Sequence, residues 1–166
     1  MKLLWVVAVC AISMICGCGT PGAPQPPSLE LPRPVRDLRA ARKGDRVTLT
    51  WTVPKNNMDR TAVKHLGVSR VCRTAAAVNE LTDCPEAAGE VPPEKVSSGR
   101  ATLTDVLAKD LQRANGRGFM TYGVQTFNRR GRSAGLGNTA KVPLAPTLSA
   151  PQKLLAEVTA KGVVIS

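Results

Sequence analysis

The chain has 166 residues, enough for one domain with extra segments, and its formal net charge is +11. Thirteen prolines, fourteen glycines and only 3% aromatic residues favour a loop-rich β protein and argue against nucleic-acid binding, which needs aromatics among the basic residues. The charge predicts contact with an anionic surface, or it serves only to keep the protein soluble.

The chain opens with a single basic residue, Lys2, and an apolar run from Leu3 to Ile15. A transmembrane helix needs roughly 20 apolar residues, so this run is too short to span a bilayer. It has the length of the apolar part of a secretory signal peptide. The sequence therefore predicts export.

The end of that run, Ile15-Cys16-Gly17-Cys18, resembles the lipobox of bacterial lipoproteins. The resemblance implies that residues 1–17 are removed and that Cys18 carries a diacylglyceryl group and an N-terminal acyl chain such as palmitate. Several acyl chains give durable membrane anchoring, because each buried CH₂ contributes about 0.8 kcal/mol. The resemblance also implies a cell-envelope protein, and Gly19 favours the outer membrane over the inner membrane. The alternative is an ordinary secreted protein with an accidental cysteine.

Residues 18–34 follow as a proline-rich segment in which six of the sixteen residues after Cys18 are proline. Such a segment cannot bury a core. Extended as polyproline II at about 3.1 Å per residue, it would reach on the order of 50 Å. We expect a tether that lifts a domain off the membrane.

The folded body is predicted over residues 35–143, around the alternating stretch Val47–Trp51. Period-2 alternation predicts a strand with one buried face, and Trp51, Tyr122 and Val124 are the expected core residues. The predicted strands are Val35–Ala41, Arg46–Val53, Val63–Arg73, Ala101–Val106, Phe119–Asn128 and Gly137–Val142, with a short helix at Ala108–Ala114 and an irregular region at Thr74–Gly99. Six or seven short strands predict an all-β, immunoglobulin-like sandwich.

Two separated motifs resemble a fibronectin type III domain. Pro34–Ala40 followed by Val47–Trp51 is similar to its opening strands, and Tyr122–Ser133 is similar to its F strand and F–G turn. The resemblance implies a spacer, adhesion or protein-interaction module. The corner tyrosine of the family would fall at Met120, which cannot make that tyrosine's hydrogen bond.

Cys72 and Cys84 are the cysteines of the body. Because exported proteins meet an oxidising compartment, we expect a disulfide between them, worth roughly 2–3 kcal/mol for a loop of this length. The alternative is that both thiols are free and buried.

The C-terminal residues repeat the sequence pattern that opens the folded body. Residues 151–158 and 162–166 parallel Pro34–Thr50, so residues 144–166 are interpreted as a linker and the truncated start of a second fibronectin type III-like domain. The alternative is a C-terminal strand that packs on the first domain.

Catalytic and metal-binding patterns are weak. His65 is the only histidine, lies in a predicted strand and has no nucleophile recognisably arranged around it, and no four-ligand set for zinc exists. The carboxylates are scattered without a spacing that pairs them for acid–base work. We expect no enzyme activity, no cofactor and no metal.

Three arginines, Arg129, Arg130 and Arg132, crowd one hairpin turn beside Phe127. They form either an anion- or partner-binding edge, with Arg113 and Arg117 expected nearby, or a solvated turn. The expected partner is another envelope protein or an anionic glycan.

Three functions are compatible with these features. The first is a lipid-anchored, non-enzymatic spacer, adhesion or protein-interaction module of the envelope. The second is an accessory region of a longer envelope enzyme whose catalytic domain is missing from this sequence. The third is a binder of anionic glycans or lipid headgroups through the arginine edge.

Overall fold

The computed structural model describes residues 28–75, 81–148, 155–160 and 162–165. No helix in those ranges is long and apolar enough to cross a membrane. The predicted signal peptide, Cys18 and the tether as far as residue 27 lie outside the described residues.

Nine strands, one short α-helix and a 3-10 turn at Pro93–Lys95 make up the regular structure of the described residues. In chain order they are β1 (Arg39–Lys43), β2 (Arg46–Thr52), β3 (Leu66–Thr74), β4 (Glu86–Val91), β5 (Arg100–Val106), α1 (Lys109–Ala114), β6 (Phe119–Asn128), β7 (Ser133–Pro143), β8 (Ala156–Thr159) and β9 (Gly162–Ile165).

Two antiparallel sheets pack face to face. The first has the strand order β1-β2-β5 and the second the order β4-β3-β6-β7. Both contribute to one core, because each strand turns alternate side chains inward. The predicted all-β, immunoglobulin-like sandwich is confirmed.

The core is built around Trp51 of β2, which faces Tyr122 and Val124 of β6, all of them at most 1% exposed. Among the described residues, the indole nitrogen of Trp51 finds no hydrogen-bond acceptor. An unsatisfied buried donor costs about 1–3 kcal/mol, so packing, rather than a hydrogen bond from the indole N–H, holds the Trp51 ring in place.

The structure corrects the prediction of an irregular Thr74–Gly99 region, which contains strand β4. The strand Glu-Ala-Ala-Gly-Glu-Val has a single β-branched residue, so its own sequence does not favour a strand. Its pairing with β3 depends on long-range packing. Gly89 lets β4 approach the opposite sheet so closely that an added Cβ would lie 2.8 Å from the Leu103 side chain.

The first strand begins later than predicted, because residues 35–38 run along β7 before the chain crosses to the other sheet. Asn138 holds this segment: its backbone N–H donates to the carbonyl of Val35 (2.9 Å), and its side chain exchanges two hydrogen bonds with Leu38 (3.0 and 3.1 Å). The chain therefore closes one edge of the sandwich with its own N-terminal residues.

The last residues of the predicted tether lie on the sandwich. Leu31 accepts a hydrogen bond from Met58 (2.8 Å), Arg33 donates to Asn56 (3.1 Å), and Pro32 is fully buried between them. These contacts make the segment 29–34 part of the folded unit rather than of the predicted tether. The division of the whole chain into domains stays a prediction.

Helix α1 fills the crossing from β5 to β6. Its buried Gln112 donates to the Asp45 carboxylate (3.0 Å) and to the carbonyl of Leu107 (2.9 Å), and it accepts from Arg42 (2.8 Å). These bonds join the helix to the β1–β2 turn. The hydrogen bond from Gln112 is the largest cause of a lowered pKa at Asp45.

A disulfide joins Cys72 of β3 to Cys84, just before β4. Leu81, inside the loop that it closes, is buried against Gly123 on the outer face of β6. The bond therefore ties both the loop and the start of an edge strand to the centre of the four-stranded sheet.

Strands β8 and β9 pair only with each other, as a separate two-stranded sheet. Val158 and Val163 lie opposite each other in the register and are 87% and 61% exposed. The hairpin is thus not an added strand of either sandwich sheet. Its interpretation as the start of a second domain remains a prediction.

We expect Gly137→Ala to destabilise the sandwich. A methyl group at position 137 would overlap the carbonyl oxygen of Val35, where the N-terminal segment meets β7. The expected loss is about 2–3 kcal/mol in the free energy of unfolding, measured by denaturant titration. The matched control is Gly116→Ala, whose new Cβ would make ordinary contacts at 3.5 and 3.6 Å. Equal losses in the two variants would contradict the close approach.

Candidate partner-binding surface

The β6–β7 turn carries the three predicted arginines and is shaped by one buried side chain, Asn128. Its Oδ1 accepts hydrogen bonds from the backbone N–H groups of Arg130 and Arg132, both at 2.9 Å. Its Nδ2 donates to the carbonyls of Leu29 and Glu30, both at 3.2 Å. The same amide therefore fixes the turn and ties it to the entering N-terminal chain.

Arg129, Arg130 and Arg132 are all exposed, and within the described part of the chain none of them forms an ion pair. The backbone N–H of Arg129 donates to the carbonyl of His65 at 3.1 Å. Gly131 has φ +70°, a conformation that costs a residue with a Cβ roughly 1 kcal/mol. We call this group, residues 129–132, the arginine turn. Its backbone is fixed while its guanidinium groups stay available.

Phe127 lies beside the arginine turn but is half-buried. The guanidinium of Arg70 covers its ring at 5.0 Å from the centroid, and Arg70 is itself paired with Glu90 at 2.8 Å. A cation over an aromatic face is a favourable contact, so one side of Phe127 is already occupied by the protein.

The expected proximity of Arg113 and Arg117 to the turn is wrong. Helix α1 precedes β6 and the arginine turn follows it, and β6 has ten residues. At about 3.3 Å per residue the two groups lie about 33 Å apart, at opposite ends of the sandwich. Arg113 pairs instead with Asp110 on its own helix, at 3.2 Å.

A shallow cleft of about 360 Å³ opens next to the arginine turn, lined by Glu30, His65, Asn128, Arg129 and Arg130. His65 is exposed and lies just before β3, not inside it as expected. The cleft combines two arginines with one carboxylate. It is suited to a partner that presents both acidic groups and a hydrogen-bond donor.

A buried polar network, which the sequence did not predict, joins the two sheets. Asp105 of β5 accepts hydrogen bonds from the Tyr122 hydroxyl (2.7 Å) and from Arg73 (2.8 and 2.9 Å). Arg73 also donates to Glu86 of β4 at 3.0 Å. Arg73 and Asp105 together thus link four strands of the two sheets.

The network shifts the pKa of two of its members. Burial and, next, the hydrogen bond to Asp105 raise the pKa of Tyr122 well above its usual range. The hydrogen bond to Glu86 is the largest cause of a raised pKa at Arg73, which keeps its guanidinium charged. Shifted groups often mark catalytic sites. Here Tyr122 is fully buried and Asp105 is 7% exposed, so a substrate has no access to them.

The described residues contain no cluster of three or more His, Cys, Asp or Glu side chains that could hold a metal ion. Asp37 and Asp59, two further carboxylates with lowered pKa values, owe the shift mainly to hydrogen bonds from Thr52 and Ser28 respectively. Both contacts join the N-terminal segment, residues 28–37, to parts of the chain farther along it.

No protein-family model matches the sequence, and no curated protein matches it. Among solved structures it is similar to the third fibronectin III domain of the human KIAA0343 protein. That likeness has a TM-score of 0.45 and 14% sequence identity and covers 81% of this chain and 99% of that one. We draw nothing about function from it, and the sandwich assignment rests on the strand order and register given above.

Tyr122 is the only tyrosine of the chain, so its ionisation can be followed alone by phenolate absorbance. Because its pKa is raised in the folded state, folded protein keeps a proton that the unfolded chain loses above about pH 10. The free energy of unfolding should therefore fall above pH 10, with this residue contributing about 1.4 kcal/mol per pH unit.

We expect phenolate absorbance to appear only together with unfolding, monitored by tryptophan fluorescence. In Tyr122→Phe, the steepness of the alkaline decline should be reduced. Ionisation near pH 10 in the folded protein would contradict the buried network.

Proposed function

We propose that this chain is a lipid-anchored cell-envelope protein whose fibronectin type III-like sandwich acts as a non-enzymatic interaction module. The observation that carries the proposal is the arginine turn. Asn128 fixes its backbone with two hydrogen bonds, and three guanidinium groups are left without an ion pair among the described residues. Because the backbone of the turn is already fixed, only the arginine side chains lose conformational entropy when a partner binds.

An acidic surface of another envelope protein is the partner that fits the arginine turn best. Guanidinium groups make bidentate hydrogen bonds to carboxylates, which adds geometric specificity to the attraction between charges. The turn protrudes at one end of a rigid sandwich, where a second protein has room to approach.

The anchor is supported by the sequence Ile15-Cys16-Gly17-Cys18 after an apolar run of secretory length. Acylation of Cys18 would hold the sandwich at a membrane surface, and the outer membrane is favoured by Gly19. Because Ser28 and the segment 29–34 contact the sandwich, the predicted tether has at most residues 19–27.

The alternative is an accessory region of a longer envelope enzyme. Val158 and Val163 support a further domain of any kind, because two exposed valines opposite each other on a lone hairpin form a surface that another domain would cover. An open reading frame that continues downstream into a hydrolase domain would support this alternative.

The anchor is tested by Cys18→Ser, with Cys16→Ser as the matched control. We expect the wild-type chain, extracted from membranes, to begin at Cys18 and to be heavier by its acyl groups in intact mass spectrometry. Cys18→Ser should lose the acyl mass and the membrane location, because a serine hydroxyl cannot form the thioether. Cys16→Ser should keep both. An acylated Cys18→Ser protein, or a mature chain that begins elsewhere, would overturn the anchor.

The interaction role is tested by photocrosslinking in living cells with a photoreactive amino acid in place of Arg130 or, as the control, of Lys109 on α1. We expect a discrete higher-mass adduct from position 130 and none from position 109, since the two lie at opposite ends of the sandwich. Arg129→Ala and Arg132→Ala in the same chain should lower the adduct yield severalfold. Equal adducts from both positions, or no adduct from position 130, would remove the arginine turn as a partner site.

A further inference from the structure

The outer face of the three-stranded sheet has an unusual composition. In β2, Val47, Leu49 and Trp51 are buried, so the residues between them point away from the core. The outward side chains of β1, β2 and β5 include five threonines and four cations, and none of them is acidic. We call this surface the threonine face.

The threonines form a regular grid at its centre. In the strand register, Thr50 lies opposite Thr102, and Thr48 lies opposite Thr104. Neighbouring strands are about 4.8 Å apart, and side chains on one face repeat at about 6.8 Å along a strand, so the four hydroxyl groups occupy a nearly flat rectangle. Within the described ranges these four hydroxyls take part in no hydrogen bond with the protein.

The cations lie at the two ends of the grid. Lys43 and Arg46 are opposite each other at one end, and Arg39 and Arg100 lie toward the other. From the register, the ends are about 14–20 Å apart. All four side chains are exposed, and none of them forms an ion pair with any residue the structure describes.

One carboxylate stands at the rim of the threonine face. Asp37 accepts hydrogen bonds from the backbone N–H (3.0 Å) and the hydroxyl (2.6 Å) of Thr52. Together with Arg39 and Arg100 it borders a small depression of about 90 Å³. The positive charge of Arg100 contributes to the lowered pKa of Asp37, but among the described residues neither Arg39 nor Arg100 forms an ion pair with that carboxylate. Both guanidinium groups therefore keep hydrogen-bond donors for an external anion.

The chemistry of the face selects one class of macromolecule. A hydroxyl group both donates and accepts hydrogen bonds, which suits the hydroxyl groups of a sugar, and arginine binds carboxylate or sulfate in a bidentate manner. Cations separated by a hydroxyl grid match a chain whose charges recur along its length. We propose that the threonine face binds an anionic polysaccharide.

Other partners fit less well. Binding of single-stranded nucleic acid relies on aromatic side chains that stack on bases, and the outward residues of β1, β2 and β5 include none. The energetic centres of protein interfaces are enriched in tryptophan and tyrosine and poor in threonine. Insertion into a membrane surface needs large apolar groups, and Val106 at one corner is the largest here. The proposal depends on neither the lipid anchor nor the arginine turn.

The test uses the full chain, purified in a neutral detergent, with heparin and polygalacturonate as probes and neutral dextran as the control polymer. The first variant replaces Arg39, Lys43, Arg46 and Arg100 with glutamine. Its matched control removes the same charge elsewhere, at Lys64, Lys95, Lys109 and Lys141, all of which are exposed. Thermal unfolding verifies that both variants fold.

In the first variant, we expect calorimetry to show binding weakened about tenfold or more for at least one anionic probe. In the control variant, the Kd should rise less than about threefold, because salt screens the attraction between the probe and charges that do not contact it. Thr48→Val with Thr104→Val keeps the charge and the shape of the side chains. This double variant should still bind severalfold more weakly, and the salt dependence of its Kd should be unchanged, since only hydrogen bonds are lost.

Three results would overturn the proposal. The first is equal weakening in the two charge variants, which would reduce the effect to net charge. The second is unchanged binding after the threonine substitutions. The third is binding to phosphatidylglycerol mixed micelles, lost in the first variant, without binding to either polysaccharide, which would assign the face to a lipid surface instead.

Discussion

Asp105 is the point on which the two sheets of this sandwich depend. It is buried in β5 and receives hydrogen bonds from Tyr122 of β6 and Arg73 of β3, and Arg73 extends the contact to Glu86 of β4. Desolvation of a charge is offset only when its partners satisfy it, so loss of any one partner leaves an uncompensated polar group between the sheets. These groups are buried, Tyr122 fully and Asp105 to 7% exposure, so what they provide is the pairing of the sheets.

Local alternation predicts much of this fold, and long-range pairing accounts for what it misses. The strands around Trp51 and Tyr122 follow from period-2 patterns of buried side chains, which the chain carries within a few residues. Strand β4 does not, because its short run of alanine and glycine becomes a strand only against β3 and beside the disulfide. Similarly, residues 35–38 have the pattern of a strand but pair with β7 through Asn138 rather than with β2.

The candidate surfaces differ in the same way. The arginine turn is visible in the sequence because its residues are consecutive, although the role of Asn128 in fixing it is not. The threonine face is hidden, since Thr48 and Thr104 become neighbours only through the register of β2 with β5. The sequence does contain two runs in which threonine alternates with buried residues. That the two runs form one surface follows only from the pairing of β2 with β5.

The N-terminal segment also identifies the end of the sandwich at which the chain enters. Asn128 ties the arginine turn to the carbonyls of Leu29 and Glu30, so the chain enters the domain beside the turn. Ten residues lie between Cys18 and Leu29, and the eleven steps along the chain, at no more than about 3.6 Å each, span at most about 40 Å. If Cys18 carries the anchor, the chain reaches the domain at the end that holds the arginine turn, and α1 lies at the opposite end. The threonine face lies on the three-stranded sheet, along the side of the domain and separate from the arginine turn.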